Sequence, residues 1–219
     1  MKPQLRAIFW DLDGTLINSE VIHEQAALDA LKEIGFTYEQ SIPAGLENSA
    51  VFELLTKLKI TDNLQLFKKW NARAIDLALS AINDQHAIPQ SIQLMKCFAK
   101  LGIPQSVVSN SPQKMVEHSL EQIGIHSLCN KFFSRDSVEF GKPHPQLYLN
   151  AIEYNQQRAE SCLCFEDSGT GIKAAKAAQI NCIGVGIDSY KYNPNLVCDL
   201  AKESWLDEVL LFIDNNYSQ

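Results

Sequence analysis

The chain has 219 residues, which suits one large domain or a domain that carries a smaller insertion. Its 26 acidic and 19 basic residues give a net charge of -7, with no basic stripe to neutralise a phosphate backbone, so nucleic acid is not an expected partner. Hydrophobic residues make up 46% of the chain, yet no unbroken apolar run approaches the roughly 18 residues of a membrane span. A membrane role is therefore not expected.

The N-terminal residues and the cysteines favour a cytoplasmic protein. Residues 1–6 carry two cations but lead directly into the apolar run 7–10, with no secretory apolar stretch and no small-residue cleavage site. The six cysteines are scattered through apolar segments rather than grouped in CxxC pairs, so we expect buried free thiols. No apolar heptad or tail suggests assembly, and we expect a monomer.

Short apolar runs alternate with amphipathic segments along most of the chain. The candidate strands are residues 5–10, 105–108, 161–165 and 181–185. The candidate helices are residues 91–101, 114–123, 145–155 and 171–178. This order predicts an α/β fold with a doubly wound, mostly parallel, Rossmann-like sheet.

The stretch from Leu16 to about Ile88 breaks the alternation, because it has helical periodicity and no strand-like run. It predicts a small helical cap domain, residues 16–88, inserted into a core of residues 1–15 and 89–219. Since the insertion follows the turn after the first strand, we expect it to act as a lid over the carboxyl ends of the strands.

The first strand ends at Asp11-Leu12-Asp13-Gly14-Thr15. Two carboxylates two residues apart on a sharp turn can present one oxygen to a phosphorus atom and another to the attacking or leaving oxygen. The simpler alternative is a turn in which aspartate and glycine only end the strand.

A second acidic pair, Glu166 and Asp167, follows another candidate strand. Because open α/β sheets place their chemistry at the carboxyl ends of strands, the two acidic motifs are expected to meet. Their oxygen ligands suit Mg²⁺. Taken alone, such a pair is more often a solvated loop.

Two further motifs supply groups that bind phosphate. Lys142, in Gly141-Lys142-Pro143, is a compact cation in a loop before a helix, although an isolated loop lysine is usually a surface residue. Ser109 and Asn110 end a strand and precede a helix, where hydroxyl, amide and backbone N–H groups can hold phosphate oxygens. A helix cap is the alternative for these two residues.

These four motifs, in their order along the chain, resemble those of the haloacid dehalogenase superfamily of phosphatases and mutases. The resemblance covers nearly the whole chain. The resemblance implies that Asp11 is the nucleophile that becomes an aspartyl-phosphate and that Asp13 is the general acid and base. Dehalogenases of the superfamily lack the second aspartate, so Asp13 argues against dehalogenation.

The same resemblance implies roles for the remaining motif residues. Ser109 and Asn110 would bind the transferred phosphate, and Lys142 would balance charge around it. The implied Mg²⁺ ligands are Asp11, the backbone carbonyl of Asp13, Glu166 and Asp167. The expected partner is a small phosphorylated metabolite.

The helical insertion resembles the cap of the β-phosphoglucomutase-like and sugar-phosphatase-like branch. In that branch the mutase has a histidine near its catalytic acid, which makes His23 a candidate substrate-binding residue; a helix-surface histidine is the alternative. The mutase also grips a second phosphate with a cap arginine, whereas the corresponding stretch here, residues 45–48, reads Gly-Leu-Glu-Asn.

After the serine motif, Pro112 and Gln113 also replace the mutase's lysine and asparagine. We therefore predict a Mg²⁺-dependent phosphatase for a sugar phosphate. A β-phosphoglucomutase-like isomerase is the alternative, followed by a non-catalytic binding protein. Cap residues that would select the substrate are not identified by the sequence; Glu47, Asn48, Trp70 and Arg73 are candidates, each better explained as surface or core.

Overall fold

A computed structural model describes residues 2–43 and 48–218 of the chain. Contacts divide it into two compact units, a smaller one of residues 19–83 and a larger one formed by the rest. Within the described ranges, no helix combines the length and the apolarity that crossing a membrane would require.

The larger unit contains a six-stranded sheet in which all neighbouring strands are parallel. The strands are β1 (Ala7–Trp10), β2 (Gln105–Val108), β3 (Lys131–Phe133), β4 (Cys162–Glu166), β5 (Asn181–Val185) and β6 (Leu196–Cys198). Their order is β3-β2-β1-β4-β5-β6, so the chain starts in the centre and winds outward in both directions. The predicted doubly wound α/β fold is confirmed.

Eight α-helices are assigned in the described parts of the chain. They are α1 (Glu20–Glu33), α2 (Asn48–Thr56), α3 (Leu64–Ala81), α4 (Pro89–Lys100), α5 (Gln113–Gln122), α6 (Gln146–Tyr154), α7 (Gly169–Ala177) and α8 (Trp205–Asn216). Helices α1 to α3 belong to the smaller unit, and the others belong to the larger one.

The central strands are apolar on both faces because helices cover both sides of the sheet. On one face, Phe9 of β1 lies in a buried cluster with residues of α6 and α7. On the other face, the indole of Trp10 stacks on Phe165 of β4 with ring centroids 4.2 Å apart, and it packs beside Phe98 of α4. The indole N–H also donates to Gln105 Oε1 at 2.9 Å, which satisfies its single buried donor.

The smaller unit has an aromatic core of its own. Phe52 of α2 packs against Phe67 and Trp70 of α3, with ring centroids 5.5 and 5.6 Å away. The Trp70 indole donates to the carbonyl of Ala27 in α1 at 3.0 Å, and the side chain is fully buried. Trp70 is therefore a core residue that ties the three helices together.

The two segments that connect the insertion to the larger unit are themselves part of that unit. Leu16 and Ile17 are fully buried, Ile17 bridges to Ala87, and the N–H of Ile88 donates to Leu16 O at 2.9 Å. The smaller unit accordingly lies within the predicted boundaries of residues 16–88, because these connections pair with each other.

The sequence analysis did not predict strands β3 and β6 or helix α8. Strands β3 and β6 have three residues each and end the sheet on either side, and α8 follows β6.

All six cysteines are free, and Cys162, Cys164, Cys182 and Cys198 are buried as expected. The expectation is wrong for Cys97, which is exposed because it lies on the face of α4 opposite its buried residues.

Candidate active site

The carboxyl ends of the three central strands bring the predicted site residues together. Trp10 of β1 lies in register with Val107 of β2 and Phe165 of β4, so the residues that follow these strands share one edge of the sheet. The N–H of Asp11 donates to the carbonyl of Phe165 at 3.0 Å, which fixes the backbone of the proposed nucleophile on the end of β4.

Lys142 is buried at the centre of this edge and is 3% exposed. Its ammonium donates to Asp11 Oδ1 at 2.7 Å and to the carbonyl of Val108 at 2.7 Å, and its third donor goes to Glu166 Oε1. An ammonium has three N–H donors, so all of them are engaged. Lys142 is therefore a buried residue and not the surface loop residue that was the alternative interpretation.

Asn110 holds the loop that carries Lys142. Its side-chain N–H donates to the carbonyl of Lys142 at 3.0 Å, and its Oδ1 accepts from the N–H of Lys142 at 2.8 Å. Both ends of the side-chain amide are thus bound to the Lys142 peptide. The structure places Asn110 at the site. Its side chain, which we expected to bind phosphate, helps to position Lys142.

Asp13 and the serine motif are joined directly. The hydroxyl of Ser111 donates to Asp13 Oδ2 at 2.6 Å, and the N–H of Ser111 donates to Ser109 Oγ at 2.9 Å. Ser109 is buried and still has a hydroxyl proton to donate. Ser111 belongs to the serine motif, Ser109-Asn110-Ser111. Its hydrogen bond to Asp13 joins the ends of two different strands, and no pattern in the sequence predicts that bond.

Glu166 is fully buried and surrounded by donors. Besides Lys142, its Oε1 accepts from the hydroxyl of Tyr148 at 2.6 Å, while Oε2 accepts from the hydroxyl of Ser168 at 3.2 Å. Ser168 also caps α7 by accepting from the N–H of Gly171 at 3.1 Å. A Cβ at Gly171 would lie 1.8 Å from Glu166 Oε2, so only glycine leaves room for this carboxylate.

Asp11, Glu166 and Asp167 form a compact acidic cluster in which one ligand oxygen from each lies within 4.8 Å of the others. Asp167 Oδ1 is buried and has no hydrogen-bond partner among the described residues. A buried carboxylate oxygen without a donor is costly unless a cation faces it. The donor set is oxygen only, which fits Mg²⁺.

The turn after β1 packs closely against Asp167. Gly14 has a φ of +77°, and a Cβ at this position would lie 2.0 Å from Asp167 Oδ2. Glycine therefore serves both the left-handed backbone and the close approach of the second acidic motif to the first.

The cluster carries more negative charge than Lys142 neutralises. Burial, with the neighbouring Glu166 carboxylate, raises the pKa of Asp167 to about 8 and raises the pKa of Asp11 well above its usual range. Burial alone would lower the pKa of Lys142, but Asp11 and Glu166 outweigh it and raise that pKa, so the ammonium stays charged. A divalent cation would neutralise the excess negative charge.

Tyr148 and Ser111 are the site residues that sequence analysis missed. Tyr148 lies in the first turn of α6, six positions after Lys142, where it matches an ordinary apolar helix position. His23 lies in α1 of the smaller unit and is half-buried, and its role at the site stays a prediction. Residues 45–47, in the stretch that corresponds to the mutase's cap arginine and lacks a basic residue, lie outside the described residues.

The other cap candidates have partners within the smaller unit. Arg73 binds Glu33, with Nε 2.9 Å from each carboxylate oxygen, and the side chain of Asn48 donates to Asn71 Oδ1 at 2.6 Å. Glu47 lies outside the described residues.

The family model described as haloacid dehalogenase-like hydrolase matches residues 8–185 of the chain. The chain belongs to this family. As a haloacid dehalogenase-like hydrolase it is similar to hexitol phosphatase B of Escherichia coli, with 26% identity over 216 residues that cover 94% of this chain and 95% of that protein. It is also similar to 6-phosphogluconate phosphatase of Escherichia coli, with 26% identity over 181 residues and 78% of each chain covered.

Solved structures share the fold of this haloacid dehalogenase-like hydrolase. A β-phosphoglucomutase from Clostridium difficile has a TM-score of 0.76 at 19% identity, covering 96% of this chain and 100% of that one. At this identity the likeness concerns the fold alone. The family resemblance predicted from the four motifs is confirmed by the family match.

Proposed function

We propose that this chain is a Mg²⁺-dependent phosphatase that hydrolyses a small phosphate monoester, a sugar phosphate, through an aspartyl-phosphate intermediate on Asp11. The observation that carries the proposal is the bond between Lys142 and Asp11 Oδ1 at 2.7 Å, at the edge where Glu166 and Asp167 converge. One carboxylate oxygen is held and charge-balanced, and the other is left to attack. The named phosphatases to which the chain is similar support the same reaction class.

In the first half-reaction, an oxygen of Asp11 forms a bond to phosphorus as the bond from phosphorus to the ester oxygen breaks. The carboxylic acid of Asp13 gives its proton to that leaving oxygen. The Ser111 hydroxyl, 2.6 Å from Asp13 Oδ2, orients the acid. Lys142 donates to Asp11 and its positive charge lies beside the phosphoryl group, while the hydroxyl proton of Ser109 provides a donor for a phosphoryl oxygen.

In the second half-reaction, the Asp13 carboxylate takes a proton from a water molecule whose oxygen attacks phosphorus. The bond to Asp11 breaks, inorganic phosphate leaves, and both aspartates regain their starting states. Asp11, Asp167, Glu166 and the carbonyl of Asp13 would hold Mg²⁺, which would neutralise charge on the transferring phosphoryl group.

The proposal includes the cellular setting and the substrate class. Six free cysteines suit a reducing compartment, so we assign the protein to the cytoplasm. The assignment as a monomer rests on the sequence, in which no apolar heptad suggests assembly. Residues 19–83 are assigned the role of the substrate-selecting cap on the sequence resemblance, with His23 as a candidate contact. The sugar-phosphate class rests on the relatives, which are named for hexitol and 6-phosphogluconate substrates.

The test is phosphate release from a panel of sugar phosphates and small phosphomonoesters, with Mg²⁺ or with EDTA. The native protein should release phosphate only with Mg²⁺. Asp11→Asn should lose all turnover, because the nearly isosteric amide cannot serve as the nucleophile. Asp188→Asn is the matched control, since Asp188 is exposed and pairs with Lys191 on the surface.

Two results would contradict this proposal. Turnover that persists in Asp11→Asn would exclude the covalent mechanism. Rapid conversion of β-glucose 1-phosphate to glucose 6-phosphate with little phosphate released would identify a phosphomutase instead.

A further inference from the structure

Tyr148 is a buried polar residue at the edge of the catalytic cluster that the proposed reaction does not use. Its side chain is fully buried, and its hydroxyl donates to Glu166 Oε1 at 2.6 Å. Its ring lies 5.3 Å from the ammonium of Lys142 and packs beside Phe9. A phenol has a single O–H donor, and this hydroxyl gives it to Glu166.

We propose that Tyr148 is a positioning residue whose hydroxyl holds the Glu166 carboxylate against Lys142 and thereby sets the position of the ammonium that binds Asp11. Glu166 Oε1 is shared by two donors, Lys142 and Tyr148. Glu166 is fully buried, so a donor lost from Oε1 is not replaced by bulk water. Without the Tyr148 hydroxyl, Oε1 keeps Lys142 as its donor but loses the second contact that fixes its position, so the carboxylate is free to rotate or shift.

The surroundings of Glu166 make such a shift consequential. Oε2 is held by the Ser168 hydroxyl and lies against the Cα of Gly171, where even a Cβ would not fit. The carboxylate is therefore held between α7 on one side and Lys142 with Tyr148 on the other. Any movement of Oε1 changes the position of its lysine partner.

Lys142 passes this movement on to the nucleophile. Its ammonium is located by three acceptors, Asp11 Oδ1, the carbonyl of Val108 and Glu166 Oε1. The carbonyl is part of β2 and is fixed, so loosening Glu166 alters the geometry between Lys142 and Asp11. Phosphoryl transfer depends on positioning, and a displacement of about 1 Å at a reacting group can cost on the order of a hundredfold in rate.

Tyr148→Phe removes the hydroxyl and keeps the ring that faces Lys142. Tyr217→Phe is a matched control. Tyr217 is also buried, and its hydroxyl donates to the carbonyl of Cys162 at 2.7 Å and accepts from Asn181 at 3.0 Å. Cys162 begins β4, whereas Glu166 ends it, so the control removes a buried tyrosine hydroxyl from the opposite end of the same strand.

We expect Tyr148→Phe to lower kcat at least about tenfold with KM changed less than about twofold, while Tyr217→Phe keeps kcat within about twofold. Crystal structures of both variants provide a second measurement. The distance between Lys142 Nζ and Asp11 Oδ1 should lengthen, or Glu166 should rotate, in Tyr148→Phe alone. Equal kcat in the two variants, or an unchanged Glu166 and Lys142 in Tyr148→Phe, would overturn the inference.

The kinetic part rests on the proposed phosphatase function, and the structural part does not. If the native protein releases no phosphate from any ester, the proposed function fails and the variant structures still decide the role of Tyr148. If the native protein is active and both variants match it, the function stands and the positioning role fails.

Discussion

The two units of this chain differ in whether they bury ion pairs: among the described residues, the larger unit has buried pairs beside surface pairs such as Lys191 with Asp188. In the larger unit, the ion pairs of Lys142 with Asp11 and Glu166 are buried. In the smaller unit, described ion pairs such as Arg73 with Glu33 lie at the surface, with side chains 45% and 48% exposed. Buried charges lose their hydration and add little to stability, so their presence marks the place where charge is needed for chemistry.

The smaller unit shows what the chain does where stability alone is required. Its core is apolar and aromatic, and the indole of Trp70 satisfies its one donor within that core. The comparison makes opposite predictions for the two units. Removing a core ring should destabilise the smaller unit, whereas neutralising a carboxylate of the acidic cluster in the larger unit should alter activity or metal response more than stability.

The largest expected stability change is Phe52→Ala in the smaller unit. The ring is fully buried between Phe67 and Trp70, so the unfolding free energy of residues 19–83 should fall by about 3–5 kcal/mol. Native-state hydrogen exchange measures this unit by itself. Leu64→Ala is the control, because Leu64 is 48% exposed and should cost less than about 0.5 kcal/mol. Similar losses in the two variants would remove the distinction between core and surface.

Next in size is the response of the larger unit to Mg²⁺. A cation at a hundredfold excess over its dissociation constant stabilises the folded state by about 2.7 kcal/mol, and Asp167→Asn should lose this gain. In EDTA above about pH 8, where Asp167 is ionised, the same variant should be at least as stable as the native protein, because one of three crowded carboxylates is neutralised. Thermal unfolding with and without Mg²⁺ measures both effects, with Asp188→Asn as the control. An intact Mg²⁺ response in Asp167→Asn would exclude this residue as a ligand.

A smaller effect is expected from Ser111→Ala. Loss of the 2.6 Å bond to Asp13 Oδ2 leaves the proposed acid less well oriented, so kcat should fall about tenfold with KM nearly unchanged. Ser111→Thr keeps the hydroxyl and should restore most of the rate. Steady-state phosphate release measures both variants. A rise in KM with kcat unchanged would instead assign Ser111 to substrate binding.

The smallest effect is expected from the surface pair of Arg73 and Glu33. A double-mutant cycle with alanine at each position should give a coupling of about 0.2–1 kcal/mol that declines with added salt. Thermal or urea unfolding of the four proteins provides the measurement. A coupling above about 2 kcal/mol would contradict the contrast between the two units.

Much of the fold was predictable because its determinants are local. Runs of apolar residues at 7–10 and 162–165 that end in acidic residues predict buried strands, and parallel strands bring their ends to one edge. The short edge strands β3 and β6 were missed, because three residues carry too little periodicity to separate a strand from a loop. Asp11 and Asp167 were predicted at this edge on the same grounds, whereas Lys142, in a loop before a helix, was assigned through the family resemblance; the structure places all three at that edge.

Which side chains form hydrogen bonds with each other was less predictable, since this depends on packing between segments that are distant in the sequence. The two bonds between the Asn110 amide and the peptide of Lys142 were not predicted, and the role of Asn110 in binding phosphate stays a prediction. Tyr148 looks like any apolar residue of an amphipathic helix until α6 is placed against β4. Hydrogen bonds of this kind join residues far apart in the sequence, and only the assembled fold selects them.

The stack of Trp10 on Phe165 has a consequence for how such a site can change over time. The two rings directly precede Asp11 and Glu166, and they lie 4.2 Å apart in the apolar interior. The stacked rings reinforce the parallel pairing of β1 with β4, in which the N–H of Asp11 donates to the carbonyl of Phe165, so the separation of the two strand ends is set within the sheet and not by the loops beyond it. Loops that face the substrate can therefore diversify while the spacing of the reactive carboxylates is kept.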